Sequence, residues 1–187
     1  MQSILKDKNI LIISPNFWGD VRLSKHHYAL ELAKLGAKVY FLNPPSREIK
    51  TMLITTSGNI TVIDFKIYIP GRLKKIFPKF FYMYMNSIVK KISQILRDDI
   101  YMTLDFSNDL IFSENKENYF KAKYNIFFPV DNPSKNYCKK SKNISDYYFS
   151  VSNQILNLIE KGDVNYYIIG HSLSNQFLGK KYIPTKY

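Results

Sequence analysis

Side chains able to do chemistry gather first between a short apolar run and a helix-like stretch. Asn16, Trp18, Gly19, Asp20, Lys25, His26 and His27 fall within twelve positions of one another. Together they supply an amide and a carboxylate for hydroxyl groups, and a cation beside first-turn backbone N–H groups for an anion. Trp18 offers a flat ring for a sugar face, a lipid interface or a packing lid. Farther along, Asp131, Ser152 and His171 each follow an apolar run. They complete the expected substrate-binding set, with Asp131 and His27 as the catalytic candidates. His26 and His27 diverge by about 100° on a helix, so they chelate poorly compared with an i, i+4 pair, and no metal site is expected. Asp20 and Asp105 have no carboxylate partner at a fixed spacing, so no acid/base pair is assigned. The first loop holds one glycine where a dinucleotide fingerprint needs three, and neither a P-loop nor Gly-x-Ser-x-Gly is present.

These residues need elements to position them. Asn9-Ile-Leu-Ile-Ile-Ser14 reads as a strand buried on both faces. Residues 20–36 read as a helix stopped by Gly36, and residues 38–42 as a second strand, giving a βαβ unit. On the helix, the apolar stripe centres on Tyr28, Ala29 and Leu32, which puts His27 with Glu31 and Lys34 on the polar side and His26 at the edge. Residues 51–55 and 60–65 form a hairpin or two separate strands around Ser57-Gly-Asn59. The main helix begins near Pro78 and carries a stripe of Ile88, Ile92, Ile95 and Leu96. Strands are predicted over 109–113, 124–130, 146–151 and 164–169, with a helix over 153–161. The alternation implies an α/β fold: a Rossmann-like, doubly wound, mainly parallel sheet with helices on both faces. Ligands of such sheets bind beyond the carboxyl ends of the strands, where strand order reverses.

The composition, 45% hydrophobic and 22% charged over 187 residues, excludes disorder and coiled-coil or collagen-like structure. One cysteine excludes an intramolecular disulfide framework and suits a reducing compartment. No apolar run approaches the roughly 20 residues of a membrane span. The expected location is cytoplasmic, with peripheral contact at the inner face of the cell membrane. Charge is the outstanding property: 27 Lys+Arg against 15 Asp+Glu give +12, and the isoelectric point is about 9.6. Its densest acid-free stretch is 72–97, where Arg72, Lys74, Lys75 and Lys79 interleave with Phe77, Phe80 and Phe81. Such a mixture suits a lipid headgroup zone, RNA stacking, or a helix whose lysines simply face water. The first reading makes those seven residues membrane contacts. A second basic cluster, Lys135, Lys139, Lys140 and Lys142, reads as a solvated surface.

The run from Leu11-Ile-Ile-Ser-Pro through Trp18 and Ser24-Lys-His-His to Leu32-Ala-Lys-Leu-Gly-Ala-Lys-Val39 and Asn43-Pro-Pro45 resembles the opening of a GT-B-fold glycosyltransferase of the group 1, or family 4, type. Asp146-Tyr-Tyr-Phe-Ser-Val-Ser-Asn153 and Tyr166-Tyr-Ile-Ile-Gly-His-Ser-Leu-Ser-Asn-Gln-Phe177 are similar to motifs that close the N-terminal domain of that family. The resemblance implies an acceptor-binding N-terminal domain over residues 1–177, with 178–187 as the start of a linker or tail. The donor-binding C-terminal domain would lie outside this chain. It also implies a whole enzyme that moves a sugar from a nucleotide-sugar donor to a saccharide acceptor, which a lipid could carry, in polysaccharide assembly. No cofactor is expected on this domain, and the domain alone is expected to be inactive. Gly19 stands where the family has paired glycines, His171-Ser172 replaces a His/Asn-Gly turn, and Asp131 occupies about the place of the family's mid-domain histidine. The alternative is a stand-alone basic α/β module that binds RNA or a phosphorylated ligand without catalysis.

Overall fold

The computed structural model describes residues 4–19, 22–96, 99–107, 110–129, 133–157 and 165–169. Asp20, Asp131 and His171 lie outside the described residues, as do Arg97 and everything beyond Ile169.

The chain runs β1 (Asn9–Ile13), α1 (Ser24–Lys34), β2 (Lys38–Leu42), β3 (Leu53–Ser57) and β4 (Ile60–Asp64). After α2 (Leu73–Ile76) and the long α3 (Pro78–Leu96) come β5 (Ile100–Asp105), a 3-10 turn (Lys116–Asn118), β6 (Ala122–Phe127) and α4 (Lys135–Ser141). β7 (Tyr147–Ser150), α5 (Asn153–Leu156) and β8 (Asn165–Ile168) complete the described elements. The strands form one sheet in the order β3-β4-β2-β1-β5-β6-β7-β8. Only β3 is antiparallel, paired with β4 across a two-residue turn in which Gly58 has φ 58°. That turn requires the left-handed region, so the hairpin is the form taken. The fold is α/β and Rossmann-like, as the alternation predicts.

Strand β1 explains the layering. All five of its residues are buried, with Ile10 and Ile12 packing in one cluster with Ala29, Phe41 and Phe106. Leu11 and Ile13 pack in the other with Phe81, Met85, Ile88, Val89, Ile92 and Leu96 of α3. Alternate side chains of one strand therefore anchor the cores on both faces, and each fully buried aliphatic contributes about 1.5–3 kcal/mol. α1 ends in a Schellman motif: Ala37 N–H donates to Leu32 O (3.1 Å), Gly36 N–H donates to Ala33 O (3.0 Å), and Gly36 has φ 89°.

Three expectations need correction. No strand forms over 110–113; the central strand β5 lies earlier, at Ile100–Asp105. Leu110 and Phe112 are buried anyway, packed in the α3-side core on irregular backbone. β5 escapes an apolar reading because Thr103 is buried with a polar partner on the next strand: its Oγ1 donates to Asn125 Oδ1 (2.8 Å). The second correction is Phe81, which is 2% exposed and belongs to the core, not to a membrane-facing surface. The third is His27, which is buried at the start of α1 instead of sharing the wet face of Glu31 and Lys34.

Replacing Gly36 by alanine should lower the unfolding free energy by about 1–2 kcal/mol, the cost of a left-handed conformation with a Cβ. A built Cβ meets Lys6 at ordinary contact distances, 3.4 Å from Cγ and 3.5 Å from Cα, so backbone strain accounts for the loss. Urea denaturation measures it, and unchanged stability would refute the cap assignment.

Candidate functional site

Sheet order reverses at β1. Strand β2 lies on one side of it and β5 on the other, so the β1–β5 border at the carboxyl edge is the switch point. Four neighbouring strands meet that edge with a polar residue: Ser14 just after β1, Asn43 just after β2, Asp64 at the end of β4 and Asp105 at the end of β5. Ser14 and Asn43 each follow an apolar run, the sequence signal that marks the edge, whereas the strands ending at Asp64 and Asp105 are interrupted by Thr61 and Thr103.

The loop leaving β1 is tied to this row. Trp18 N–H donates to Asn43 Oδ1 (2.8 Å), and Asn43 Nδ2 donates to Asp64 Oδ1 (2.7 Å), which links the ends of three strands. Ser14 Oγ accepts from Asn16 N–H (3.1 Å) and donates to Asn16 O (2.6 Å), setting the first turn. Lys25 is buried, and its ammonium donates to Asn16 Oδ1. Trp18 packs edge-on against Phe41 (4.8 Å between ring centres) and His26 (5.4 Å), and the Arg22 guanidinium lies 4.3 Å over the Trp18 ring. One nitrogen of that guanidinium, Nη1, is buried with no hydrogen-bond partner among the described residues.

His26 has a different task from the substrate contact expected of it. Its Nδ1 accepts from Leu23 N–H (2.9 Å), the reach-back half of a capping box at a residue that has no capping oxygen of its own. With Nδ1 accepting, Nε2 carries the proton and donates to Phe17 O (3.1 Å). The ring is fully buried and stacks on Phe41 at 5.0 Å. Burial lowers its pKa most; the hydrogen bond to Phe17 opposes this, and the Arg22 and Lys25 charges reinforce it. A neutral imidazole with both nitrogens on backbone groups holds the loop.

Across the switch point, Asp105 is a second tie. Tyr119 Oη donates to its Oδ2 (2.8 Å), and Ser107 donates through N–H (2.8 Å) and Oγ (2.6 Å) to Oδ1. Tyr137 of α4 donates to Ser107 O (2.6 Å). The Tyr119 phenol is pushed well above its ordinary pKa, by burial first and then by Asp105, so it stays a donor. Sequence reading set Asp105 aside for want of a second carboxylate; its partners are hydroxyls instead.

Of the expected contacts, the fold brings Asn16, Trp18 and Gly19 onto the loop after β1 and Lys25 and His26 onto the first turn of α1, where Lys25 and His26 bond to that loop. Ser152 stands apart, three strands from β1 or roughly 14 Å at ordinary strand spacing. Its Oγ caps α5 by accepting Gln154 N–H (3.0 Å). Ser14, Arg22, Asn43, Asp64 and Asp105 join the site from the structure. Among the described residues no group of three His, Cys, Asp or Glu side chains could hold a metal ion. The edge offers amides, carboxylates and two cations, a chemistry of holding hydroxyls and anions.

No family model and no curated protein matches the chain. Among solved structures the chain is similar to "Trehalose-6-phosphate from E. coli bound with UDP-2-fluoro glucose", a trehalose-6-phosphate synthase of GT-B fold. The likeness has a TM-score of 0.54 at 10% identity, over 86% of this chain and 48% of that one. The chain thus spans about half the length of the structure it matches and shares its Rossmann-like, GT-B type of fold.

Because His26 is held neutral, its contribution to stability is full above about pH 6.5, the unfolded value. It is lost as pH falls through the lower folded value, when a proton on Nδ1 breaks the bond from Leu23. Urea titrations between pH 5 and 8 should show this loss in the wild type and a flatter profile in His26→Gln. Parallel profiles would contradict the assigned tautomer.

Proposed function

We propose that the chain is the N-terminal, acceptor-side domain of a sugar transferase of the family 4 type, spanning residues 1–177. The whole enzyme takes a sugar from a nucleotide-sugar donor and passes it to a saccharide acceptor, which a lipid phosphate can carry, in polysaccharide assembly. The observation that carries this reading is the row Ser14, Asn43, Asp64 and Asp105 at the switch point of a GT-B-like sheet, capped by a loop that holds two cations. The similarity of the end motifs to the family, and coverage of about half of a GT-B chain, support a half-enzyme.

In this reading Asn16, Trp18 and Gly19 line the acceptor side, and Asp20, next in sequence, is a further candidate contact. Arg22, Lys25 and the backbone N–H groups that open α1 meet negative charge, either on the acceptor or on the phosphates of a donor carried by the second domain. Asp131 and His27 are the candidate proton acceptors, and Ser152 and His171 the remaining candidate substrate contacts. The domain positions and desolvates the acceptor, and the nucleotide of the donor held by the other half leaves as its bond to the sugar breaks and the acceptor oxygen bonds to the sugar.

The whole gene product should turn over a nucleotide sugar, and residues 1–187 alone should not. Turnover by the 187-residue chain alone would sink the half-enzyme reading, and an inactive whole product would sink transfer itself. In the active protein, Arg22→Gln removes a charge-assisted hydrogen bond worth about 1.5–3 kcal/mol, so kcat/KM should drop roughly 10- to 150-fold with the fold retained. An unaltered kcat/KM would remove Arg22 from the site.

A further inference from the structure

The acid-free basic stretch becomes a defined surface once folded. At about 100° per residue, α3 turns Phe81, Met85, Ile88, Val89, Ile92 and Leu96 to the core. The opposite face presents Lys79, Phe80, Met83, Lys90 and Lys91 to solvent. The α2–α3 turn adds Ile76 and Phe77 to the same end. Large apolar side chains stand out here: Met83 is 66% exposed, Ile76 63%, Phe77 60% and Phe80 51%. Arg72, Lys75 and Lys79 are exposed around them. Lys74 differs, because its charge acts on Glu114, which also accepts from Tyr82 (2.8 Å) and Lys140 (2.7 Å). That carboxylate fixes the base of the turn to α4.

Four large apolar side chains exposed within eight positions of one another are costly in water, and exposed apolar patches rimmed by polar residues mark interaction sites. We infer that the α2–α3 turn is a docking surface for an anionic lipid bilayer, with Ile76, Phe77, Phe80 and Met83 entering the headgroup–acyl boundary and Arg72, Lys75 and Lys79 meeting lipid phosphates. Charge complementarity selects the occupant: no acidic residue occurs from Phe65 to Arg97. Single-stranded RNA fits less well, because Ile76 and Met83 present no ring to a base. The inference replaces Phe81, a core residue, with Ile76 and Met83 among the contacts. It stands on this surface alone, whether or not the chain belongs to a transferase. Lys90 and Lys91, farther along the same helix face, extend the electrostatic footprint.

Co-sedimentation with vesicles tests it. Wild-type chain should bind an equimolar mixture of phosphatidylcholine and phosphatidylglycerol, lose affinity as salt rises, and ignore phosphatidylcholine alone. Each cation near an anionic surface is worth about fivefold in partitioning, so Lys75→Glu with Lys79→Glu should lower binding at least about twentyfold. Phe77→Ser with Phe80→Ser should also lower binding, with circular dichroism unchanged because both side chains are exposed. Lys135→Glu with Lys139→Glu, exposed on α4, should leave binding as it was. The inference is overturned if wild-type chain stays in the supernatant, if either α2–α3 variant binds as tightly as wild type, or if the α4 variant is equally impaired. Binding to poly-uridylate lost in these variants, without vesicle binding, would reassign the surface to nucleic acid.

Discussion

Burial of β1 on both faces is the constraint from which the rest of the molecule follows. A strand with no wet side must sit in the middle of the sheet, with helices over each face. Its two neighbours are reached by connections that leave in opposite directions, so its carboxyl end is the switch point of the sheet. The polar residues that close β1, β2, β4 and β5 share that edge. Position in the fold, more than any single motif, puts hydroxyl, amide and carboxylate groups in one row.

The loop over that edge is held by few but well-placed interactions. The Trp18 backbone is tied through Asn43 to Asp64, and the His26 ring supplies a cap that Leu23 cannot supply for itself. The stack of His26 on Phe41 makes a polar ring part of the α1-side core. An imidazole suits this position because one face of the task is apolar while each edge needs a donor or an acceptor. The consequence is a first turn of α1 in which Lys25, His26 and His27 are all buried, while Leu23 at the cap is exposed.

Much of this was legible in the residues. The β-branched run at 9–13, the Gly36 stop, Pro78 before the long helix and Gly58 in the hairpin each follow from local chemistry. Periodicity misplaced the central strand because Leu110-Ile-Phe112 looks more apolar than Ile100-Tyr-Met-Thr-Leu-Asp105, although only the latter joins the ladder. Tertiary pairing of Thr103 with Asn125 made a polar residue acceptable inside the sheet, and no local pattern announces such a partner. The helical wheel failed at His27 for a related reason: a wheel assumes that only the sheet covers a helix. The hydroxyl partners of Asp105 come from 2, 14 and, through Ser107, 32 residues away, so a search for carboxylate pairs passed over them.

Ligand is proposed to bind at the β1–β5 carboxyl edge under the Trp18 loop. A crystal structure of the chain soaked with a saccharide phosphate tests this directly. Density should appear between Ser14, Arg22, Lys25 and Asn43, with the Trp18 ring against it. Ordered ligand only elsewhere on the molecule, with that edge empty, would contradict it.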